Sequence, residues 1–363
     1  MVCDAEFIDW PRSLSRFSGA VARAGRAANR SQIEWSPCGR LLLRFCFTSN
    51  RDEDYDAHTQ GWCESSKTVS AESNMNESEK KVAVITGAAT GIGRALAERL
   101  AAQGLRLCLA DINKGGLDVV AHALRSNDCE VATHTVDVAD RRQMEVLSSA
   151  TLAQFGRVDW LINNAGVGLC GDVEEVSIAD IEWIMGINFW GMVYGVKYFL
   201  PLLKAREKAY IVNLSSVFGM IAPPGQAAYA ASKFAVRGFT EALRHELAGT
   251  GVQVSNVHPG GIRTGIAKTS RIGANTRTGK REEFAAIFDV LAGTTPERAA
   301  DRIVNGVLQG ETRILIGPDA KQINVIHRLF PERYWRIIGP LIEMRTRGLR
   351  VDDASHDESD TGT

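Results

Sequence analysis

A short β-branched run, Val82–Thr86, ends on a glycine-rich turn, Gly87-Ala-Ala-Thr-Gly91-Ile-Gly93, and a helical pattern over 92–103 follows at once. This junction narrows the fold more than any other stretch. An uninterrupted apolar run suits a strand buried on both faces of a parallel sheet. Glycines at the turn let backbone N–H groups approach a pyrophosphate at the positive end of the next helix. The spacing is G-x-x-x-G-x-G and not the G-x-G-x-x-G of the commonest dinucleotide fingerprint. Context therefore carries the reading: strand before, helix after, and an acidic residue, Asp111, closing the next strand.

The rest of the chain repeats the alternation. Gly104 stands where the first helix stops. Strands are expected over 105–110, 130–136, 158–163, 209–214, 252–257 and 313–316, with helices over 140–155, 177–205, 226–248 and 296–309. Thr295-Pro296 opens the last of these as N-cap and first helical residue. Strands alternating with helices give an α/β fold, a parallel sheet covered on both faces.

Composition excludes several classes. The chain has 363 residues, 45% hydrophobic, enough for one large or two medium domains with a sizeable core. A formal net charge of -1 gives no general attraction to nucleic acid. Seven cysteines are scattered without C-x-x-C or histidines at zinc spacing, so no metal site is expected, and their odd number fits a reducing cytoplasm. No apolar run approaches the ~18–20 residues of a membrane span.

The two ends differ from the middle. Residues 1–79 show no sustained period and become acidic and Ser/Asn-rich, as expected of a poorly ordered extension. A start at Met75, a regulatory extension and a targeting peptide are the three readings; Asp4, Glu6 and Asp9 speak against the last, because transit peptides are poor in acids. The regular domain spans 80–317. Pro331 and Pro340 are expected to break 318–350 into short helical pieces that pack on the domain, join an oligomer interface or touch a membrane surface. Residues 351–363 read as a frayed acidic tail.

Asp111 has a specific use. A carboxylate there accepts hydrogen bonds from adenosine ribose hydroxyls and repels a 2′-phosphate. No basic residue stands at Thr90 or Ile112 to rescue phosphate binding, so NAD(H) is expected over NADP(H). Asp137-Val138 and Asn163-Asn164-Ala165-Gly166 close later strands, on the edge where open α/β sheets bind ligands. Further on, Ser216, Tyr229 and Lys233 fall within one short stretch; Tyr229 and Lys233 are four apart and share a helix face. A lysine beside a tyrosine favours the phenolate and so makes a general base. Alone, such a pair arises often by chance on an ordinary exposed helix.

In order along the chain stand T-G-A-A-T-G-I-G (86–93), D-V (137–138), N-N-A-G (163–166), Asn188, Ser216, Y-A-A-S-K (229–233) and H-P-G (258–260). This set resembles the short-chain dehydrogenase/reductase family in its compact single-domain branch, over about 80–317. The resemblance implies a Rossmann-type, doubly wound sheet of about seven parallel strands and hydride exchange between a nicotinamide cofactor and an alcohol or ketone. Tyr229 would carry the proton, Lys233 would hold the nicotinamide ribose and lower the tyrosine pKa, and Ser216, by its spacing and not Ser215, would bond the substrate oxygen. Asn188 would kink its helix and help hold a proton-relay water. Gly87, Thr90, Gly91, Ile92, Gly93, Asp111, Asp137, Val138, Asn164, Ala165, Gly166, Pro259, Gly260, Ile262 and Thr264 would line the cofactor path. Family members pair through the helices placed at 177–205 and 226–248, which implies a homodimer or homotetramer.

Leu169, Phe218 and Gln226 are expected to face substrate, and most positions around them are apolar, which suggests a lipophilic alcohol or ketone of steroid, retinoid or long-chain type. The segment 262–281, the substrate lid by resemblance, is basic without an acid and points instead to an anionic group, or simply to a solvated loop. A non-catalytic, nucleotide-sensing protein on the same fold is the alternative from another class; it would be expected to lack one of the four catalytic groups.

Overall fold

The computed structural model describes residues 80–273 and 281–346. The expectations for 1–79, including the start at Met75, and for the tail lie outside the described residues. From the first strand the elements are β1 (Val82–Thr86), α1 (Gly91–Ala101), β2 (Arg106–Asp111), α2 (Lys114–Arg125), β3 (Val131–Thr135), α3 (Arg141–Phe155), β4 (Trp160–Asn163) and β5 (Leu169–Cys170). Next come α4 (Ile178–Met185), α5 (Gly191–Lys204), β6 (Ala209–Leu214), α6 (Ala227–Glu246), β7 (Val252–Pro259), α7 (Ile266–Thr269) and β8 (Arg271–Ile272). The chain closes with α8 (Arg281–Leu291), α9 (Pro296–Leu308), β9 (Arg313–Ile316), α10 (Pro318–Leu329) and α11 (Tyr334–Thr346).

Seven strands form one sheet in the order β3-β2-β1-β4-β6-β7-β9, and every pair in it is parallel. This is the doubly wound Rossmann arrangement, with its order reversing between β1 and β4, where such sheets bind ligands. Apolar side chains cover both faces, as continuous strand runs require. On one face α1, α2 and α9 supply Leu96, Leu100, Leu117, Ile303 and Val307; on the other, α3, α5 and α6 supply Met144, Leu147, Phe199 and Val236.

Three local expectations change. α2 is an additional helix, formed although Gly115 and Gly116 are poor helix formers. Asn113 caps it through Gly116 N (3.0 Å), and Leu117, Val120, Ala121 and Leu124 bury one face. Gly116 has a packing reason, since a Cβ there would lie 2.8 Å from the Ala89 side chain. The helix expected over 177–205 is interrupted by a π-helical turn, Gly186–Trp190, closed by Gly191 N to Gly186 O. Asn188 sits inside that turn, whose extra residue re-aims its side chain inward. Finally, Pro340 does not break the C-terminal segment. It lies inside α11, which buries Ile338, Gly339 and Thr346 while Pro340 itself stays exposed. Proline removes one donor but leaves the rest of an anchored helix in place.

The C-terminal helices pack on the domain. Ala320 and Ile323 meet Val217, Phe218 and Met220, and the Tyr334 hydroxyl accepts a bond from Ala222 N at 3.1 Å. Among the described residues no helix is long and apolar enough to cross a membrane.

Candidate active site

The glycine turn brings backbone against backbone. Gly87 and Gly91 take positive φ (65° and 56°), and a Cβ on Gly87 would lie 2.8 Å from Ala165 Cα. A Cβ on Gly93 would collide with the Gly87 carbonyl oxygen. Thr90 stands at the N-cap of α1 without making a side-chain cap bond, so the leading N–H groups keep their capacity for an anion. The turn is locked to the end of β4. Thr86 Oγ1 accepts from Asn164 N and Ala165 N, each at 3.1 Å, and Asn164 Nδ2 donates to Thr86 O (3.0 Å) and Gly87 O (2.8 Å). Thr86 was not picked out as a site residue; its position at the end of β1, one before the first glycine, is the signal that marks it.

At the end of β2, Asp111 accepts from Ala89 N through one carboxylate oxygen and from Asn113 N through the other, both at 2.9 Å. Each oxygen keeps a lone pair for a hydroxyl. Ile112 is exposed, and Arg94 is turned to Glu98 at 2.8 Å, so neither supplies a cation at this edge. Asp137 holds its own turn through Ala139 N (2.9 Å), and Val138 packs against Gly191. Pro259 ends β7 and Gly260 bonds Ile316 O through its N–H at 3.0 Å, while Asp319 of α10 accepts from Gly261 N at 2.7 Å. Ile262 is buried and bridges to Thr294, and Thr264 reaches Gly91. A cavity of about 540 Å³ opens here, lined by Gly91, Thr264, Arg94, Arg263 and Lys268 among others; it reaches the turn but none of the catalytic candidates. Among the described residues no cluster of His, Cys, Asp and Glu could hold a metal ion.

The four catalytic candidates converge. Lys233 is buried at 4% exposure, with Nζ donating to Leu214 O at 3.1 Å and 5.8 Å from the centre of the Tyr229 ring. Asn188 Oδ1 accepts from Val167 N (2.8 Å), and its Nδ2 donates to Val167 O (3.1 Å) and Ser232 Oγ (3.0 Å). A Cβ on Gly166 would sit within 3.3 Å of both Asn188 Oδ1 and Lys233 Nζ, so one residue without a side chain leaves the space between them open. Ser215 and Ser216 are told apart by their bonds. Ser215 Oγ is tied to Lys233 O at 2.9 Å, whereas Ser216 Oγ faces the Tyr229 phenol and accepts from Phe218 N at 3.1 Å. Leu169 lies with Val176, Ile184 and Trp183 beside Tyr229, and Phe218 meets the Tyr229 ring edge-on at 6.1 Å. Gln226 is buried immediately before α6.

The electrostatics correct one expectation. Lys233 was expected to draw the Tyr229 pKa down. Burial instead dominates and holds the phenol above its ordinary value, with the Ser216 hydroxyl opposing it less strongly. The same burial pushes Lys233 down to about 8. Removing water penalises both charged forms, and the ammonium is directed at the Leu214 carbonyl and not at the phenol oxygen.

His258, wholly buried on β7, is pushed down to about 4, chiefly by burial. It is therefore neutral in the folded chain between pH 6.5 and 4, where an unfolded chain takes up a proton. Stability falls as pH falls through that window, by about 1.4 kcal/mol per pH unit and about 3 kcal/mol in all. Urea midpoints measured across this range should drop more steeply in the native protein than in His258→Asn, which has nothing to titrate there.

The sequence model of the short chain dehydrogenase family matches residues 81–275, more than half of the chain. The chain belongs to this family. SadH of Mycobacterium tuberculosis is 43% identical over 267 residues, 73% of this chain and 96% of that one. Estradiol 17-beta-dehydrogenase 11 of Macaca fascicularis is 30% identical over 268 residues, 73% and 84% of the two chains. A short-chain dehydrogenase/reductase from Burkholderia phymatum, solved in complex with NAD, superimposes with a TM-score of 0.62 at 36% identity, covering 70% of this chain and 95% of that one. Solved relatives carry NAD in some cases and an NADP derivative in others. The protein is thus an oxidoreductase of the short-chain dehydrogenase/reductase family, whose members bind NAD(H) or NADP(H).

Proposed function

We propose that the protein exchanges a hydride between NAD(H) and a lipophilic secondary alcohol or ketone. The observation that carries this reading is the convergence of a serine hydroxyl, a phenol and a buried ammonium, at Ser216, Tyr229 and Lys233, beside an uncapped glycine turn. The turn from Gly87 to Gly93 would hold the pyrophosphate, and Asp111 the adenosine ribose. Asp137 and Val138 would contact adenine, and Asn164 to Gly166, Pro259, Gly260, Ile262 and Thr264 would line the remaining path. When bound, the nicotinamide supplies or accepts the hydride.

Each catalytic group has one task. In reduction, Tyr229 donates its proton to the oxygen that develops on the former carbonyl; in oxidation it receives the alcohol proton. Burial keeps the phenol in the protonated form that donation in reduction requires, and the Ser216 hydroxyl, which opposes that shift, eases release of the proton. Ser216 gives a hydrogen bond to the same oxygen and stabilises the charge that develops there. Lys233 holds the nicotinamide ribose, and Asn188 keeps the β4–β5 loop and α6 in register around it.

The lipophilic substrate class rests on Leu169, Phe218, Val167 and Trp183, all apolar and grouped around Tyr229 or against α10, and it agrees with the name of the estradiol dehydrogenase relative. The described part of the expected lid is fastened beside this group at Arg271–Ile272. β8 pairs with β5, and Arg271 lies 3.7 Å from the centre of the Trp183 ring while bonding Asp180 at 2.8 Å. Both contacts are partly exposed, so together they contribute about 1 kcal/mol. Arg271→Ala should raise KM several-fold and change kcat little, as steady-state kinetics with one good substrate will show. We further expect a homodimer or homotetramer through the helical stretch 177–205 and α6, where Trp190 of the π-helical turn and Phe234 of α6 stand exposed, in a reducing, cytoplasmic setting; sedimentation velocity tests the association. The outward faces of α10 and α11, with Arg328, Leu329, Arg336 and Met344 exposed, suit at most weak contact with an anionic membrane surface.

A panel of lipophilic secondary alcohols and ketones, followed by NADH and NADPH absorbance, tests the whole reading. Turnover with NAD(H) on at least one member is the expected result; tight nucleotide binding without turnover on any would favour the nucleotide-sensing alternative.

A further inference from the structure

β6 and β7 pair from Ala209↔Val252 to Leu214↔Val257, and the ladder continues as far as Ser215 N to Val257 O at 2.8 Å. Ser216 therefore steps beyond the end of that pairing. Its backbone is extended (φ −167°, ψ 169°), and a short 3₁₀ turn follows at Val217–Gly219. Two donors hold its carbonyl: Gly219 N at 2.9 Å from within that turn, and His258 Nδ1 at 2.9 Å from the neighbouring strand. A carbonyl can only accept, so Nδ1 carries the proton. The ring's other nitrogen, Nε2, has no hydrogen-bond partner among the described residues. A buried imidazole with an unpaired nitrogen is a costly way to fill space that an apolar side chain could fill. The ring also stays neutral, since burial, Arg313 and Arg237 all oppose its charging.

We propose that His258 is a positioning residue: its Nδ1–H fixes the Ser216 carbonyl, and through that peptide the direction of the Ser216 hydroxyl toward Tyr229. The inference rests on the reading of Ser216 given above. Ser215 does not need such a support, because its own hydroxyl is tied to Lys233 O. Ser216 Oγ accepts from Phe218 N at 3.1 Å but cannot donate within the protein as Ser215 does, because its proton must remain available to substrate. The anchor therefore has to come through the main chain, and His258 is the side chain that supplies it.

Two amides separate this role from simple filling. His258→Asn places an N–H where Nδ1 stands, whereas His258→Gln places it near Nε2. The Asn variant should keep kcat within about threefold, and the Gln variant should lose about 10–100-fold, the scale of a small misplacement of a reacting group. NAD Kd, read by fluorescence titration, should not change in either. Ser216→Ala combined with His258→Gln should be no slower than Ser216→Ala alone, because the histidine acts only through the serine. Equal kcat in the two amide variants, or losses that multiply in the double variant, would overturn the inference. If the Gln variant does not fold, nitrogen NMR of the native enzyme decides: a ring protonated on Nδ1 alone supports the inference, and one protonated on Nε2 contradicts it. If Ser216→Ala keeps full turnover, the reading of Ser216 fails; if it is slow while a folded His258→Gln is not, only the positioning role fails.

Discussion

Tyr229→Phe is expected to bind NAD with unchanged affinity and to lose turnover by about 10²–10⁴-fold, the usual contribution of a positioned acid or base. The substitution removes one oxygen and leaves the ring. That ring keeps its edge-on contact with Phe218 and its place beside Leu169 and Ile184, so the fold should not notice the change. It also removes a buried hydroxyl with a hydroxyl neighbour, Ser216, which is less damaging than leaving a charge unpaired. A thermal midpoint close to that of the native protein, intact NAD binding and a collapsed kcat together constitute the expected outcome. An unchanged kcat would remove Tyr229 from the chemistry.

The second large effect is expected at Asp111. In Asp111→Ala the preference for NAD over NADP, as a ratio of kcat/KM, should fall by about 10–100-fold, the worth of hydrogen bonds to a charged group. The repulsion of a 2′-phosphate disappears with the carboxylate, so part of the change should appear as a gain with NADP. Asp111 also accepts from Ala89 N and Asn113 N, hence some loosening of the glycine turn will raise KM for both cofactors. The ratio isolates the charge from that loosening. A native enzyme that already prefers NADP would refute the assignment.

Much of the sheet could be read in advance for one physical reason: strands buried on both faces are continuous apolar runs, and Val82–Thr86 and Ala209–Leu214 occupy the expected positions. What escaped depended on tertiary contacts. α2 carries Gly115-Gly116, whose second glycine answers to Ala89 and not to helix propensity. Pro340 reads as a break because its missing donor is visible in sequence, while the packing that keeps α11 together is not. In the site, spacing along β6 and α6 brought Ser216, Tyr229 and Lys233 into view together. Three supports could not be seen that way: Thr86 bonds residues 78 and 79 positions away, Asp319 reaches Gly261 from 58 positions away, and His258 reaches Ser216 from 42. The direction of the Tyr229 shift was missed for a similar reason. A neighbouring lysine is legible in sequence, but the loss of water around both groups is a property of the folded chain.

In the proposed reaction the hydride passes directly between a substrate carbon and the nicotinamide, and Tyr229 handles only the proton. Deuterium placed on the carbinol carbon of an alcohol that is turned over tests this most directly, with the NADH product examined by mass spectrometry. One deuterium retained per NADH formed, from the native enzyme and at a greatly reduced rate from Tyr229→Phe, is the predicted result. NADH formed without the label, or ketone formed without NADH, would contradict it.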